Sequence, residues 1–278
     1  MTHKPDGPSH NVLSVAPRGG QNASIFYIFN EIRDILGTTK SFIWPGFEAT
    51  GNEIKGFAPT VLNPQDETGN VALETEFKPI FDMREIGIHG YYFSGDNNRH
   101  FVAADNAEYS FEADAEPFSL GIWALPMEGG SALQALMAKY DEGVATEYSL
   151  HVTSGDVLQL DLFDGIDGAT GKLRYTAVKA TVDLYQLRFY VMVYAGNEGV
   201  VKFYKDGILV ETITAVETSA YANMDDTAAK FFVGGRDDGG VPDDLFQGWL
   251  ALPQGSQKAL SEAEVRDLYS LQRDLLGV

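Results

Sequence analysis

From Tyr91 to Leu252 the chain is written in short runs of alternating apolar and polar residues, each cut off by glycine, proline, asparagine or aspartate. Alternation with a period of two sorts side chains onto the two faces of an extended strand, a pattern no single helix face can bury. The runs at 99–103, 118–125, 134–140, 147–152, 157–163, 187–195, 199–205, 208–213, 230–234 and 246–252 therefore predict strands. Within 187–195, Leu187, Phe189, Val191 and Val193 share one face, and Arg188, Tyr190, Met192 and Tyr194 share the other, with one face buried more deeply. Lys205-Asp206-Gly207 predicts a hairpin, because Asp-Gly accepts the two positive φ values of a type I′ turn. So many short strands predict an all-β, two-sheet antiparallel sandwich.

Two segments break this grammar. Leu260-Ser261-Glu262-Ala263-Glu264-Val265 opens a terminal helix, with Ser261 and Glu264 at capping-box spacing and an apolar stripe of Leu260, Val265, Leu268, Tyr269, Leu271 and Leu275. At the other end, Pro5, Gly7, Pro8, Pro17, Gly19 and Gly20 predict an extended arm over 1–23. Ile25, Ile28, Phe29, Ile32, Ile35 and Leu36 then recur at helical spacing, with Ser24 placed to cap and Gly37 to terminate. The expected organisation is an N-terminal arm and docking helix over 1–40, followed by a sandwich over 41–278.

Composition narrows the function. The 278 residues carry 20 Lys+Arg against 40 Asp+Glu, a net charge of −20. Such a chain repels phosphates, so no nucleic-acid partner is expected. The absence of cysteine excludes a disulfide framework, a thiolate zinc site and a cysteine nucleophile. No apolar run approaches the roughly 18 residues of a membrane-spanning helix, so no membrane insertion is expected. The opening Met1-Thr-His-Lys-Pro-Asp-Gly-Pro-Ser-His10 lacks the apolar stretch of a secretory signal, and an unprocessed chain is the expectation.

A series of short patterns appears in a fixed order: Phe93-Ser-Gly-Asp96, Pro117-Phe118-Ser-Leu-Gly-Ile-Trp123, Leu136-Met-Ala-Lys139-Tyr-Asp141, Glu147-Tyr148-Ser-Leu150, Phe203-Tyr204-Lys-Asp206-Gly207, Phe232-Val-Gly234-Gly235 and Phe246-Gln-Gly248-Trp249, then the 260–269 helix. In this order they resemble the laminin-G-like, concanavalin A-like jelly-roll family over about 88–273. Phe42–Pro64 is similar to the family's degenerate first strand. The resemblance implies a jelly-roll sandwich beginning near residue 41, with an N-terminal arm plus helix outside it and a C-terminal helix. Trp123 and Trp249 are expected in the core, in preference to stacking on a sugar.

Two groups of acidic residues qualify as sites. Glu112-Ala-Asp114-Ala-Glu116 has the alternation that lines a glycosidase cleft. Its Ala spacers, and the connection before the Trp123 strand in which the resemblance places it, favour a solvated loop, so no catalytic residue is expected. Asp161-Leu-Phe-Asp164-Gly-Ile-Asp167 and Arg236-Asp237-Asp238-Gly-Gly-Val-Pro-Asp243-Asp244 are oxygen-rich. Asp237, Asp238, Asp243 and Asp244 are the better candidate for calcium, a hard cation that takes six to eight oxygens; hydrated turn aspartates are the alternative. The histidines at 3, 10, 89, 100 and 151 have no ligand spacing. No Gly-x-Ser-x-Gly, Gly-x-Gly-x-x-Gly or Walker pattern occurs.

These features give the expectation of a non-enzymatic virion protein of a tailed phage, in capsid decoration or the tail and adsorption apparatus. Residues 1–37 would dock other virion proteins, as a homo-oligomer or part of a larger assembly, and the lectin-like module would bind a partner protein or host surface glycan. The alternatives are a secreted carbohydrate-binding module or a jelly-roll glycoside hydrolase.

Overall fold

A computed structural model describes residues 22–47, 55–57, 63–65, 90–94, 100–111, 116–127, 132–142, 145–165, 171–196, 199–215, 217–219, 221, 224 and 226–278. The elements in chain order are α1 (Asn22–Leu36), β1 (Ser41–Phe47), β2 (Lys55–Phe57), β3 (Asn63–Gln65), β4 (Tyr91–Ser94), β5 (His100–Ala103), β6 (Phe118–Pro126), β7 (Gln134–Asp141), β8 (Ala145–Val152), β9 (Val157–Gly165) and β10 (Lys172–Thr181). They continue with β11 (Arg188–Tyr194), β12 (Val200–Lys205), β13 (Ile208–Thr214), β14 (Glu217–Ser219), β15 (Phe231–Val233), β16 (Arg236–Asp238), β17 (Val241–Asp243), β18 (Gln247–Ser256) and α2 (Glu262–Leu276).

Two antiparallel sheets form a jelly-roll sandwich. One runs β13-β12-β11-β6-β18-β1-β2, with β4 added to β18. The other runs β14-β10-β9-β8-β7-β15-β5-β3, with the β16–β17 hairpin beside β7. The inward residues of both sheets, among them Leu120, Ile122, Tyr190 and Met192 from the first and Leu150, Leu160, Leu162 and Tyr175 from the second, form the main core. Large aromatics set its dense end: Trp44 stacks on Phe231 with centroids 5.4 Å apart, and Phe42 meets Tyr109 edge-on at 5.3 Å.

Local chemistry fixes several joints. Asp206 and Gly207 have φ of 52° and 79°, as the turn between β12 and β13 requires. Gly248 lies at φ +139°, and a Cβ there would sit 2.2 Å from the Leu125 carbonyl oxygen, so the β18–β6 pairing admits only glycine at that point. Ser261 and Glu264 form both halves of the capping box on α2. Gly37, at φ 85°, closes α1 by donating its N–H to the Arg33 carbonyl at 2.8 Å. The helix starts at Asn22, so Ser24 is inside it and not its cap.

A second core occupies the far face of the first sheet and corrects two expectations. Phe189, Val191 and Val193 of β11, with Trp123 and Ala251, pack there against Phe29, Ile32 and Leu36 of α1 and Val265, Leu268 and Leu275 of α2. Both faces of β11 are therefore buried. From Ile28 to Leu36 the apolar stripe of α1 packs on its own sandwich, so this part is not a free surface for docking another virion subunit. The Lys258 ammonium reaches the Ile35 carbonyl at 3.3 Å, and the Ser256 hydroxyl donates to the Leu36 carbonyl, satisfying backbone oxygens exposed at the helix end. Trp123 is buried as expected, but its Nε1–H donates to Gln272 Oε1 at 2.8 Å beneath α2. Trp249 is only half-buried, tilted against Tyr92 at 4.9 Å.

Candidate functional site

In strands β8 and β9 the alternation leaves polar residues on the face turned away from the core. Ser149 of β8 pairs with Asp161 of β9, which pairs with Arg174 of β10. One row along, His151 pairs with Gln159, which pairs with Thr176. The intervening Leu150, Leu160 and Tyr175 point into the sandwich. Register thus sets six polar side chains in a two-row patch on the outer face of the second sheet.

The patch is densely bonded. Arg174 grips Asp161 with Nε and Nη2, 2.8 and 3.0 Å from the two carboxylate oxygens. Gln159 Nε2 donates to Asp161 Oδ1 at 3.1 Å, and Thr176 Oγ1 donates to Gln159 Oε1 at 2.7 Å. Ser149 Oγ lies 3.3 Å from His151 Nδ1. Ser149, His151, Gln159 and Asp161 are buried, whereas Arg174, Thr176 and Lys172 on β10 are half-exposed. The patch therefore meets solvent along β10. Aromatic groups border it: the Arg236 guanidinium lies 4.5 Å over the Tyr140 ring, Lys172 lies 5.7 Å from the Phe163 ring, and Tyr140 meets Phe163 edge-on at 5.1 Å.

Burial dominates the titration of two groups. It lowers the His151 pKa to about 4, with the positive charges of Arg236, Arg174 and Lys172 adding to the effect and Asp161 opposing it. The imidazole is therefore neutral at pH 7, and its Nε2 is buried without a hydrogen-bond partner. Burial raises the Asp244 carboxyl to about 6, against the pull of Arg236.

The expected sites are placed differently from one another. Asp237, Asp238, Asp243 and Asp244 belong to the β16–β17 hairpin and the residue after it, not to an irregular loop. Arg236 pairs with Asp244 at 2.8 Å and lies 3.6 Å from Asp243, while Asp237 Oδ1 accepts from the Gly240 N–H at 2.6 Å and Asp238 is exposed. Among the described residues, no three His, Cys, Asp or Glu side chains are grouped to hold a metal ion. Asp161 is a sheet residue in the polar patch, and Asp164 ends the described part of that strand's side chains; Asp167 lies outside the described residues. Of the acidic triplet, Glu112 and Asp114 lie outside the described residues and Glu116 is exposed before β6. His100 is buried against Phe232 at 5.4 Å; His3, His10 and His89 lie outside the described residues.

A second polar cluster was not anticipated. The Lys139 ammonium, fully buried in β7, lies 2.5 Å from Glu147 Oε1, 2.9 Å from Asp105 Oδ1 and 2.7 Å from the Thr227 carbonyl. Thr227 also donates its N–H and hydroxyl to Glu147 Oε1, each at 2.8 Å. An ammonium has three donors, and all three are used. This cluster ties the segments after β5 and before β15 to the sheet and has no cationic donor left for a ligand.

Residues 96–266 match the family model of the concanavalin A-like lectin/glucanases superfamily. The chain belongs to this superfamily. No curated protein matches. Among solved structures, the Trypanosoma rangeli sialidase in complex with the inhibitor DANA is 17% identical, with a TM-score of 0.55 over 92% of this chain and 39% of the sialidase. A structure of botulinum neurotoxin type C, whose cell entry depends on two ganglioside molecules, is 16% identical, with a TM-score of 0.56 over 83% of this chain and 51% of that one. The binding domain of Paraclostridial Mosquitocidal Protein 1 is 13% identical, with a TM-score of 0.56 over 82% and 51%. This chain therefore spans about half the length of the toxin chains it matches, or less for the sialidase, and at these identities the likeness is one of fold.

These comparisons correct the expectations of origin and role. The jelly-roll resemblance stands, but the similar structures named above are toxin chains and a sialidase, not phage, capsid or tail proteins. Virion location and virion partners therefore lose their basis. The expectation of a non-enzymatic chain is corrected as well, because a sialidase has this fold and the fold does not exclude catalysis. No helix among the described residues is long and apolar enough to cross a membrane.

Proposed function

We propose that the chain is a lectin-like module that binds a glycan on the outer face of the second sheet, along the β10 side of the polar patch. One observation carries this reading: Thr176, Gln159, Asp161 and Arg174 form a continuous hydrogen-bonded series across two adjacent strands. A sugar is recognised by pre-oriented donors and acceptors. The half-exposed Arg174 and Thr176 line the solvent edge of the patch on β10, held in place by the buried Asp161 and Gln159. A glycan array with the whole chain tests it. Binding that disappears in Arg174→Ala while the fold is retained supports the assignment; wild-type binding in that variant removes the glycan from this face.

A glycan-cleaving reading is favoured by a separate observation: a sialidase shares this fold. Release of reducing sugar from array hits supports it; binding with no release removes it. Calcium on the hairpin stands as a further proposal and requires Asp243 and Asp244 to turn from Arg236. A melting temperature raised by calcium and lowered by chelator supports it; no change in either removes it.

A further inference from the structure

We infer that Glu211 is a latch on one side of the sandwich, where it holds a strap of β10 across the gap between the two sheets. On this side the first sheet ends at β13, and the second ends at β10 and β14. Past Arg174, β10 leaves β14, whose pairing covers only Lys172, Leu173 and Arg174. It leaves β9 as well: β10 advances five residues from Thr176 to Thr181 while β9 advances two, from Gln159 to Val157. Residues 177–180 therefore form a large bulge whose backbone groups are out of the ladder.

Glu211 supplies the missing acceptor. Its Oε2 accepts from the N–H groups of Val178, Lys179 and Ala180 at 2.9, 2.7 and 3.3 Å. Successive N–H groups turned to one point make a concavity for an anion, and here the chain fills it from within. In β13, Glu211 lies two positions from Ile213, so it shares the face that packs on the main core. A carboxylate on that face needs donors, and the strap provides them. Lys205 of β12 does the reverse: its ammonium reaches the Thr181 carbonyl at 3.4 Å and Asp183 Oδ1 at 3.0 Å. An acid of the first sheet thus holds the strap's donors, and a base holds acceptors just beyond it. The strap's own contribution to the main core is Ala177 and Ala180, while Val178 and Lys179 are exposed. Such small side chains bury little apolar area, so the carboxylate holds the strap down more than packing does. This segment should therefore open by itself, well before the sheets separate.

The test is amide hydrogen exchange, resolved residue by residue by NMR on the whole chain. In the wild type, exchange at Val178, Lys179 and Ala180 should barely depend on urea below the unfolding transition, because a local opening exposes little surface. Exchange at the buried residues of β11 should climb with urea. In Glu211→Ala the three strap amides should exchange about tenfold faster or more. Strap amides that follow urea as β11 does open only with the whole fold and overturn the strap. Exchange in Glu211→Ala equal to wild type overturns the latch. Glu211→Gln keeps the length and an acceptor oxygen without the charge, and the acceleration should be about threefold. If Glu211→Ala does not fold, Glu211→Gln decides in its place, and wild-type exchange in that variant overturns the latch.

Discussion

Gln254 of β18 and Gln272 of α2 exchange two hydrogen bonds, Gln272 Nε2 to Gln254 Oε1 at 2.9 Å and Gln254 Nε2 to Gln272 Oε1 at 3.1 Å. Both amides are buried, and Gln272 Oε1 also accepts from Trp123 Nε1. This pair is the polar pin through the otherwise apolar second core. Gln272→Leu should strand the Trp123 N–H and the Gln254 amide, at a cost of about 2–4 kcal/mol. A denaturant melt reads the loss, and a cost below about 1 kcal/mol would mean that the amides find new partners.

Phe29 of α1 is fully buried in the same core. Phe29→Ala should destabilise the whole sandwich by about 3–5 kcal/mol, the cost of a large buried side chain with its cavity. Removing residues 1–37 should lower the melting temperature of the β signal in circular dichroism. A truncated chain that melts like the full one would return α1 to the role of a detachable arm.

Lys139 and Glu147 are both without exposure. Lys139→Met should cost about 3–5 kcal/mol, since it leaves a buried carboxylate unpaired. Lys139→Met combined with Glu147→Leu should recover most of that loss, because the desolvated charge is gone as well. A double variant no better than the single would mean that the carboxylate's bonds to Thr227 matter more than its charge.

His151 gives stability a pH dependence. Its folded pKa of about 4 lies below the ordinary value of 6.5, because burial disfavours the imidazolium. Between those values the unfolded chain binds more protons than the folded one, so this group's contribution is fully present above pH 6.5 and is lost as pH falls toward 4. The slope is about 1.4 kcal/mol per pH unit. Asp244 acts oppositely: its raised pKa of about 6 favours the fold as pH falls from 6 toward 3.8. Comparing melts of wild type and His151→Gln at pH 7 and pH 5 isolates the first group. Wild type should lose more stability than the variant on acidification; parallel losses would mean that His151 is solvated.

The strand grammar was legible wherever apolar alternation was clean. Asp206-Gly207 became the expected turn, and Ser261 with Glu264 the expected cap. β10 was missed, because Lys172–Thr181 mixes charged and apolar residues along a strand whose outer face is half-exposed. The hairpin of β16 and β17 was missed because Asp and Gly dominate it. Within the candidate site, the signal was present in Tyr148-Ser149-Leu150-His151 and Leu158-Gln159-Leu160-Asp161, where every second residue of a strand is polar. The nearness of Asp164 and Asp167 in sequence hides this, because it makes Asp161 resemble part of an oxygen-rich loop.

Local rules act within a few residues, so the sequence by itself determined the strands with clean alternation, the turns, the caps and the amphipathic faces of both helices. What those faces meet was decided by the tertiary structure. The stripe on α1 looks the same whether it docks on another protein or on β11, and only the register of β6, β11 and β18 creates the apolar surface it covers. Asp161 and Arg174 are 13 residues apart in the chain and form one fork only because β9 and β10 pair in that register. A one-residue slip of β10 against β9 would turn Arg174 to the face opposite Asp161, since neighbouring positions on a strand face opposite sides of the sheet.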